Sequence, residues 1–194
     1  MNLPNKLTLA RVILIPFFLL LIYLKFPFHY LAALAVFAAA SITDALDGHI
    51  ARKNNLVTNF GKFLDPLADK ALVMAALAVF VELDEVNMNA IPFIIIIARE
   101  FMVSGLRLLA ADSGVVVAAG IWGKLKTAFT MVTIIAILFW LFLKDDFGGY
   151  MTDGIRFFAD SIAVPVLVWI SAALTVISGG VYLKGYWHLI DSDK

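Results

Sequence analysis

Six apolar stretches, Leu7–Leu24, Phe26–Thr43, Phe63–Val81, Ala90–Ala111, Ile121–Leu143 and Asp160–Leu183, account for most of this 194-residue chain. Each has the length of a helix in hydrocarbon, where a crossing takes about 20 residues. A backbone surrounded by lipid must satisfy its own hydrogen bonds, which leaves helices or a closed barrel. None of the stretches shows the dyad alternation of a barrel strand. Composition agrees, with 62% of residues hydrophobic against roughly 45–50% in soluble domains, and mean hydropathy is +0.94. The sequence predicts an all-α, polytopic membrane protein with six transmembrane helices. The joints are too short for a second domain, so residues 1–194 are expected to form one membrane domain. Cysteine is absent, which excludes disulfide and thiolate chemistry. Lys6 and Arg11 precede or enter the first apolar run, and no small-residue cleavage site follows soon after. That run is therefore expected to be a retained span rather than a signal peptide.

Orientation follows from where the basic residues fall. With the N-terminus in the cytoplasm, Lys6, Arg11, Arg52, Lys53, Lys62, Lys70, Arg99, Arg107, Lys124, Lys126, Lys184 and Lys194 lie on or near the inner side. Only Lys25, Lys144 and Arg156 fall outside, a split of 12 to 3. The outer joints "ELDEVNMN" and "KDDFGGYMTDGIRFFAD" are acid-rich instead. Both termini are thus expected in the cytoplasm, and membrane lipids rather than nucleic acid are the expected surroundings.

One joint is unusual. "DALDGHIARKNNLVTNFGKFLDPLAD", from Asp44 to Asp69, keeps four aspartates between two apolar spans, where charge is costly and tends to be functional. Asp44 and Asp47 are three apart, and Asp65 and Asp69 are four apart, so each pair shares a helix face. Four converging carboxylates repel one another and take up protons unless cations offset them. Hard oxygen ligands without cysteine favour Mg²⁺ or Mn²⁺ over zinc, and Mg²⁺ commonly joins a few carboxylates to substrate phosphates. Gly48 and Gly61 allow close approach of a ligand, and Arg52 offers a fork that matches phosphate oxygens. The competing structural reading is a set of interfacial salt bridges with Arg52, Lys62 and Lys70.

The pattern Asp44-x-x-Asp47-Gly48-x-x-Ala51-Arg52, eight residues, then Gly61-x-x-x-Asp65-x-x-x-Asp69 resembles the signature of the CDP-alcohol phosphatidyltransferases, with every fixed position filled. The resemblance implies transfer of a phosphatidyl or similar group from a CDP-alcohol to a hydroxyl, with release of CMP. It implies two metal ions held by Asp44, Asp47, Asp65 and Asp69, with Asp69 also the general base. Gly48, Arg52 and Gly61 would lie along the CDP moiety. It further implies that Asn5 and Thr8, three apart in "NLPNKLTLAR", approach the nucleotide. Helix capping by Asn2 or Asn5 around Pro4 and interfacial snorkelling by Arg11 are the structural alternatives there.

A second constellation runs from Ala98 to Thr127. Glu100 and Arg107 are seven apart and fall on nearly one helix face, and Gly123 and Lys124 open the fifth apolar run. Lys124 and Lys126 do not share a face of a regular helix, so only one of them need point into a site. The segments "AREFMVSGLR" and "GKLKT" resemble the branch of the family that uses sn-glycerol 3-phosphate as acceptor with CDP-diacylglycerol as donor. In that branch Arg107, Lys124 and Lys126 would bind the acceptor phosphate. Alternatively, they are topology anchors that meet lipid headgroups. The family resemblance also implies a homodimer in the bacterial inner membrane, with its site facing the cytoplasm. A sister enzyme using an inositol phosphate, serine or phosphatidylglycerol is the nearest alternative. A cation-coupled transporter is a remote one, since the charges gather at one membrane face and no internal repeat is present. His29, His188, Trp122, Tyr182, Tyr186 and Trp187 read as interfacial residues, and "ISGG" at 177–180 as a place where helices pack closely.

Overall fold

A computed structural model describes residues 3–53, 59–112, 120–147 and 150–187, and their side chains except those of 3–7, 44–53, 59–66, 69, 111 and 112. The described residues contain helices and no strand. They form α1 (Leu3–Tyr23), α2 (His29–Lys53), α3 (Asn59–Glu82), a 3₁₀ turn (Asp84–Val86), α4 (Ala90–Asp112), α5 (Ile121–Phe147), α6 (Asp153–Phe158) and α7 (Val164–Tyr186). A π-helical stretch, Ala159–Ala163, joins α6 to α7, so the chain is helical from Asp153 to Tyr186. Ile121–Phe147 and Asp153–Tyr186 are long and apolar enough to cross a membrane, while Thr8–Tyr23 and His29–Thr43 are apolar but shorter. Side chains such as Ile121, Leu108 and Phe101 face outward, an apolar surface suited to lipid.

The elements match the six apolar runs, but their ends differ. The second run was expected to stop at Thr43, and α2 continues to Lys53. Hydropathy marks where lipid ends, whereas Ala45, Leu46, Ile50, Ala51 and Arg52 continue to favour helix. The last run begins seven residues early, at Asp153 rather than Asp160.

Helix α1 packs along both α2 and α3, and α5 packs on α2 and α7. The apolar core lies toward the C-terminal ends of α1, α3 and α5 and the N-terminal end of α2. There Phe18, Phe37, Leu72, Leu77, Phe80, Ile134, Ile137, Leu138 and Leu141 are at most 2% exposed. The Phe18 and Phe37 rings meet at 6.0 Å between centroids. In lipid such contacts act through van der Waals packing rather than water exclusion.

Polar braces close this end. The His29 Nε2 atom is 3.1 Å from Asp145 Oδ2, and Lys144 Nζ donates to Asp160 Oδ2 at 2.9 Å. Trp140 Nε1 donates to Asp160 Oδ1 at 2.8 Å. Phe28 has φ 65°, a conformation that costs a bulky residue roughly 1–3 kcal/mol, and its N–H donates to Asp146 Oδ1 at 3.0 Å. His29, expected at an interface, is instead 5% exposed, because its ring is taken up in the α2–α5 brace.

The other end is built for polar groups. On α4 the buried positions Pro92, Ile96, Arg99, Val103, Leu106 and Ala110 recur at alternating steps of four and three, the seam period of closely packed helices. Helix α7 meets α4 and α5 through a stripe of Ser171, Thr175, Ser178, Gly179 and Tyr182. Small residues there let the helices approach closely. A Cβ on Gly179 would lie 3.1 Å from Arg99 Cγ. Thr133 and Ser171 hydroxyls meet at 3.0 Å between α5 and α7.

Candidate active site

The seam of α4 carries a cation into the bundle. Arg99 is 8% exposed because it occupies the position between Ile96 and Val103 on the buried stripe. Its Nη2 donates to Ser178 Oγ at 2.7 Å, and its Nη1 donates to Glu100 Oε1 at 3.3 Å. On α5, Lys126 shares the buried stripe with Thr130 and Thr133, and its ammonium also donates to Glu100 Oε1. Lys70 of α3 donates to Ser104 Oγ, which in turn donates to the Glu100 carbonyl at 2.5 Å.

These groups line a cavity of about 500 Å³ between α3, α4, α5 and α7. Among the described residues, five basic side chains, Lys70, Arg99, Arg107, Lys124 and Lys126, reach it, with one carboxylate, Glu100. Tyr182 forms the wall that ties the cations together. Its Oη accepts from Arg107 Nη2 at 3.2 Å and from the Gly120 N–H at 3.0 Å. The Arg99 and Arg107 guanidinium carbons lie 5.4 Å and 5.7 Å from its ring centre, within cation–π range. Gly123 makes room for this wall, since a Cβ there would sit 3.1 Å from Tyr182 Oη. The start of α5 also faces the cavity through Gly123 and Lys124, and a helix N-terminus favours an anion. Net positive charge, fork-shaped donors and a helix start together suit a phosphate dianion.

The structure brings Arg107, Lys124 and Lys126 together, as the sequence led us to expect. Both lysines line the cavity, although their two-residue spacing required only one to do so. Lys126 enters from the buried stripe, and the long stem of Lys124 serves from the exposed side beside the glycine-flanked helix start. Lys70 and Tyr182 were not expected at the cavity. Tyr182 is 5% exposed and belongs to the cavity wall, not to an interfacial belt. Its four-residue step from Ser178 on the α7 stripe is the sequence signal that marks it.

Thr8 and Arg11 are 0% and 1% exposed, on the face of α1 that packs against its neighbours. Arg11 is therefore an interior cation rather than a snorkelling one. The side chains of Asn5, Asp44, Asp47, Gly48, Arg52, Gly61, Asp65 and Asp69 lie outside the described residues. Their backbone positions are helical, on α1 for Asn5, on α2 for Asp44 to Arg52, and on α3 for Gly61 to Asp69. The C-terminal end of α2 and the N-terminal end of α3 thus carry the aspartate motif, and Lys70 of the cavity follows Asp69 directly in the chain. Among the described residues no three metal-ligating side chains cluster.

Comparison with known proteins gives a consistent result. Residues 1–177 match the family model described as CDP-alcohol phosphatidyltransferase. The chain is 42% identical over 206 residues to the CDP-diacylglycerol--glycerol-3-phosphate 3-phosphatidyltransferase of Bacillus subtilis (strain 168), covering 100% of this chain and 99% of that protein. It is 39% identical over 185 residues to the protein of the same name from Haemophilus influenzae, covering 94% of this chain and 92% of that one. With the Escherichia coli (strain K12) protein of that name it shares 44% identity over 141 residues, or 72% of this chain and 77% of that one.

Proposed function

The chain belongs to the CDP-alcohol phosphatidyltransferase family, and we propose that it transfers the phosphatidyl group of CDP-diacylglycerol to sn-glycerol 3-phosphate, giving phosphatidylglycerophosphate and CMP. The observation that carries the choice of acceptor is the five-cation cavity adjoining the helix of the aspartate motif. A phosphorylated acceptor uses those charges, whereas serine leaves most of them unmatched.

In this reaction the acceptor hydroxyl oxygen bonds to the phosphatidyl phosphorus. The bond from that phosphorus to the CMP oxygen breaks, and the hydroxyl proton passes to Asp69. Arg107, Lys124 and Lys126, with Lys70 and Arg99, hold the acceptor phosphate, so the hydroxyl is presented at fixed distance. Asn5, Gly48, Arg52 and Gly61 bind the CDP moiety, whereas Thr8, 0% exposed, is too buried to join them. The donor set on α2 and α3 is all oxygen, at spacings of three and four, which fits a pair of Mg²⁺ or Mn²⁺ ions held by Asp44, Asp47, Asp65 and Asp69. Bound there, the ions supply charge neutralisation at the phosphoryl oxygens and the leaving CMP.

We assign six spans with both termini in the cytoplasm of a bacterial inner membrane. The motif end of α2 and α3 and the cavity end of α4, α5 and α7 are the ends bearing most of the basic residues, as a cytoplasmic face requires. The working unit is a homodimer. The test is CMP release by purified protein given CDP-diacylglycerol, Mg²⁺ and one acceptor at a time. Release that requires glycerol 3-phosphate, stops with a chelator and vanishes in Asp69→Asn is expected. Release driven by another acceptor overturns the choice of acceptor, and full activity of Asp69→Asn removes it as the base.

A further inference from the structure

Among the described residues the cavity has one carboxylate, Glu100, and it is out of place in a pocket for phosphate, because like charges repel. Its bonding is also lopsided. Lys126 Nζ and Arg99 Nη1 both donate to Glu100 Oε1. Oε2 makes no hydrogen bond to any described residue, yet it is not among the buried polar atoms sealed without a partner. The Glu100 side chain is 14% exposed and lines the cavity. Lysine and arginine only donate, so the five cations offer a ligand no acceptor. The Ser104 hydroxyl is engaged on both sides, receiving from Lys70 and donating to the Glu100 carbonyl. Among the described residues, Oε2 is therefore the one charged acceptor in the cavity open to a ligand.

A bare phosphomonoester leaves that acceptor unmatched. A ligand carrying a phosphate and a second hydroxyl satisfies both the cations and the carboxylate. We infer that Glu100 determines specificity for the acceptor alcohol: Oε2 accepts a hydrogen bond from the hydroxyl that does not react, so the site selects phosphorylated polyols over simple hydroxyalkyl phosphates. This rests on the reaction proposed above. In sn-glycerol 3-phosphate the hydroxyl read in this way is the one on the middle carbon. Glu100 also fixes Lys126 and Arg99, so the hydroxyl and the phosphate are read by one connected network.

The experiment compares CMP release with sn-glycerol 3-phosphate and with 3-hydroxypropyl phosphate, the same chain without the middle hydroxyl. It uses full-length protein, CDP-diacylglycerol and Mg²⁺. Hydrogen bonds to charged groups are worth enough to give a preference of about 10- to 100-fold in kcat/KM, and wild type should show that preference for glycerol 3-phosphate. In Glu100→Gln the ratio of the two acceptors should fall toward one. Glu100→Asp, which keeps the charge but withdraws it by one methylene, should give an intermediate ratio and serves if the glutamine variant does not fold. Equal use of the two acceptors by wild type would overturn the assignment without any variant, as would variants that lower both acceptors by the same factor. Transfer to neither acceptor would instead overturn the proposed reaction, and the role of Glu100 with it.

Discussion

Removing one oxygen from the cavity wall should weaken the grip on acceptor while leaving the lipid donor untouched. In Tyr182→Phe the ring stays, so the guanidinium contacts of Arg99 and Arg107 at 5.4 Å and 5.7 Å persist. Among the described residues, what is lost is the acceptor for Arg107 Nη2 at 3.2 Å and for the Gly120 N–H at 3.0 Å. Arg107 and Gly120 both reach solvent, so water replaces much of each bond, and the fold should lose no more than about 1 kcal/mol. Binding suffers differently. A guanidinium left with only its ring contact must be further ordered when phosphate arrives, at up to roughly 0.5–1.5 kcal/mol for a rotamer-rich side chain. The start of α5 loses its tether as well. Together about 1–2 kcal/mol of acceptor binding disappears, or a KM for glycerol 3-phosphate raised about 5- to 30-fold. The assay is CMP release with glycerol 3-phosphate varied at saturating CDP-diacylglycerol, then the converse. Equal rises in both KM values would mean the hydroxyl supports the fold generally. An unchanged acceptor KM would mean that Arg107 needs no such support.

The same wall is tested from its other side by Gly123→Ala. The new methyl would lie 3.1 Å from Tyr182 Oη, so the tyrosine must retreat and acceptor KM should rise several-fold. Alanine gains about 1 kcal/mol over glycine in a helix, so the melting temperature should hold or increase; an unchanged acceptor KM would show that Tyr182 has room to spare. Thr133→Val removes a buried α5–α7 hydrogen bond of 3.0 Å at nearly constant shape. It should cost about 0.5–1.5 kcal/mol in thermal unfolding in detergent, with both KM values intact. The absence of cysteine makes topology directly testable. In intact cells an impermeant maleimide should label Tyr150→Cys and spare Ser192→Cys, and the reverse pattern would overturn cytoplasmic termini.

Much of the architecture was legible because hydropathy and helical spacing are local properties. The six apolar runs correspond to helices, and the convergence of Arg107, Lys124 and Lys126 could be anticipated from Arg107's helical register and the glycine-led start of α5. Local reading failed where partners are distant in the chain. Tyr182 meets Arg107 across 75 positions and Gly120 across 62. Near a helix end, a tyrosine facing lipid headgroups and one facing a cavity look alike in sequence. Lys70 was counted among inner-side basic residues, a reading silent on its partner, Ser104 of α4. Arg99 could be placed one position from Glu100, yet its burial depends on Ser178 and Gly179 of α7. The extension of α2 beyond Asp47 to Lys53 was missed for another reason: a charged helix extending beyond an apolar run carries no hydropathy signal.

The two constellations meet on one helix, and that joint limits which acceptors the proposed chemistry admits. Helix α3 carries Asp65 and Asp69 of the motif and then Lys70, whose side chain lines the cationic cavity and bonds to Ser104 beside Glu100. The proposed base and the proposed acceptor pocket are therefore adjacent along a single helix. Fixing the phosphate then fixes the reach of the hydroxyl, and proximity of this kind is a large source of rate. A longer acceptor would place its hydroxyl beyond the position that α3 sets, and one without phosphate would have no anchor from which to be measured. An acceptor series of increasing chain length between phosphate and hydroxyl should therefore show a maximum in kcat at the glycerol spacing, with a weaker trend in KM. A flat kcat across the series would mean that the cavity only concentrates anions near the membrane and that α3 does not act as a ruler.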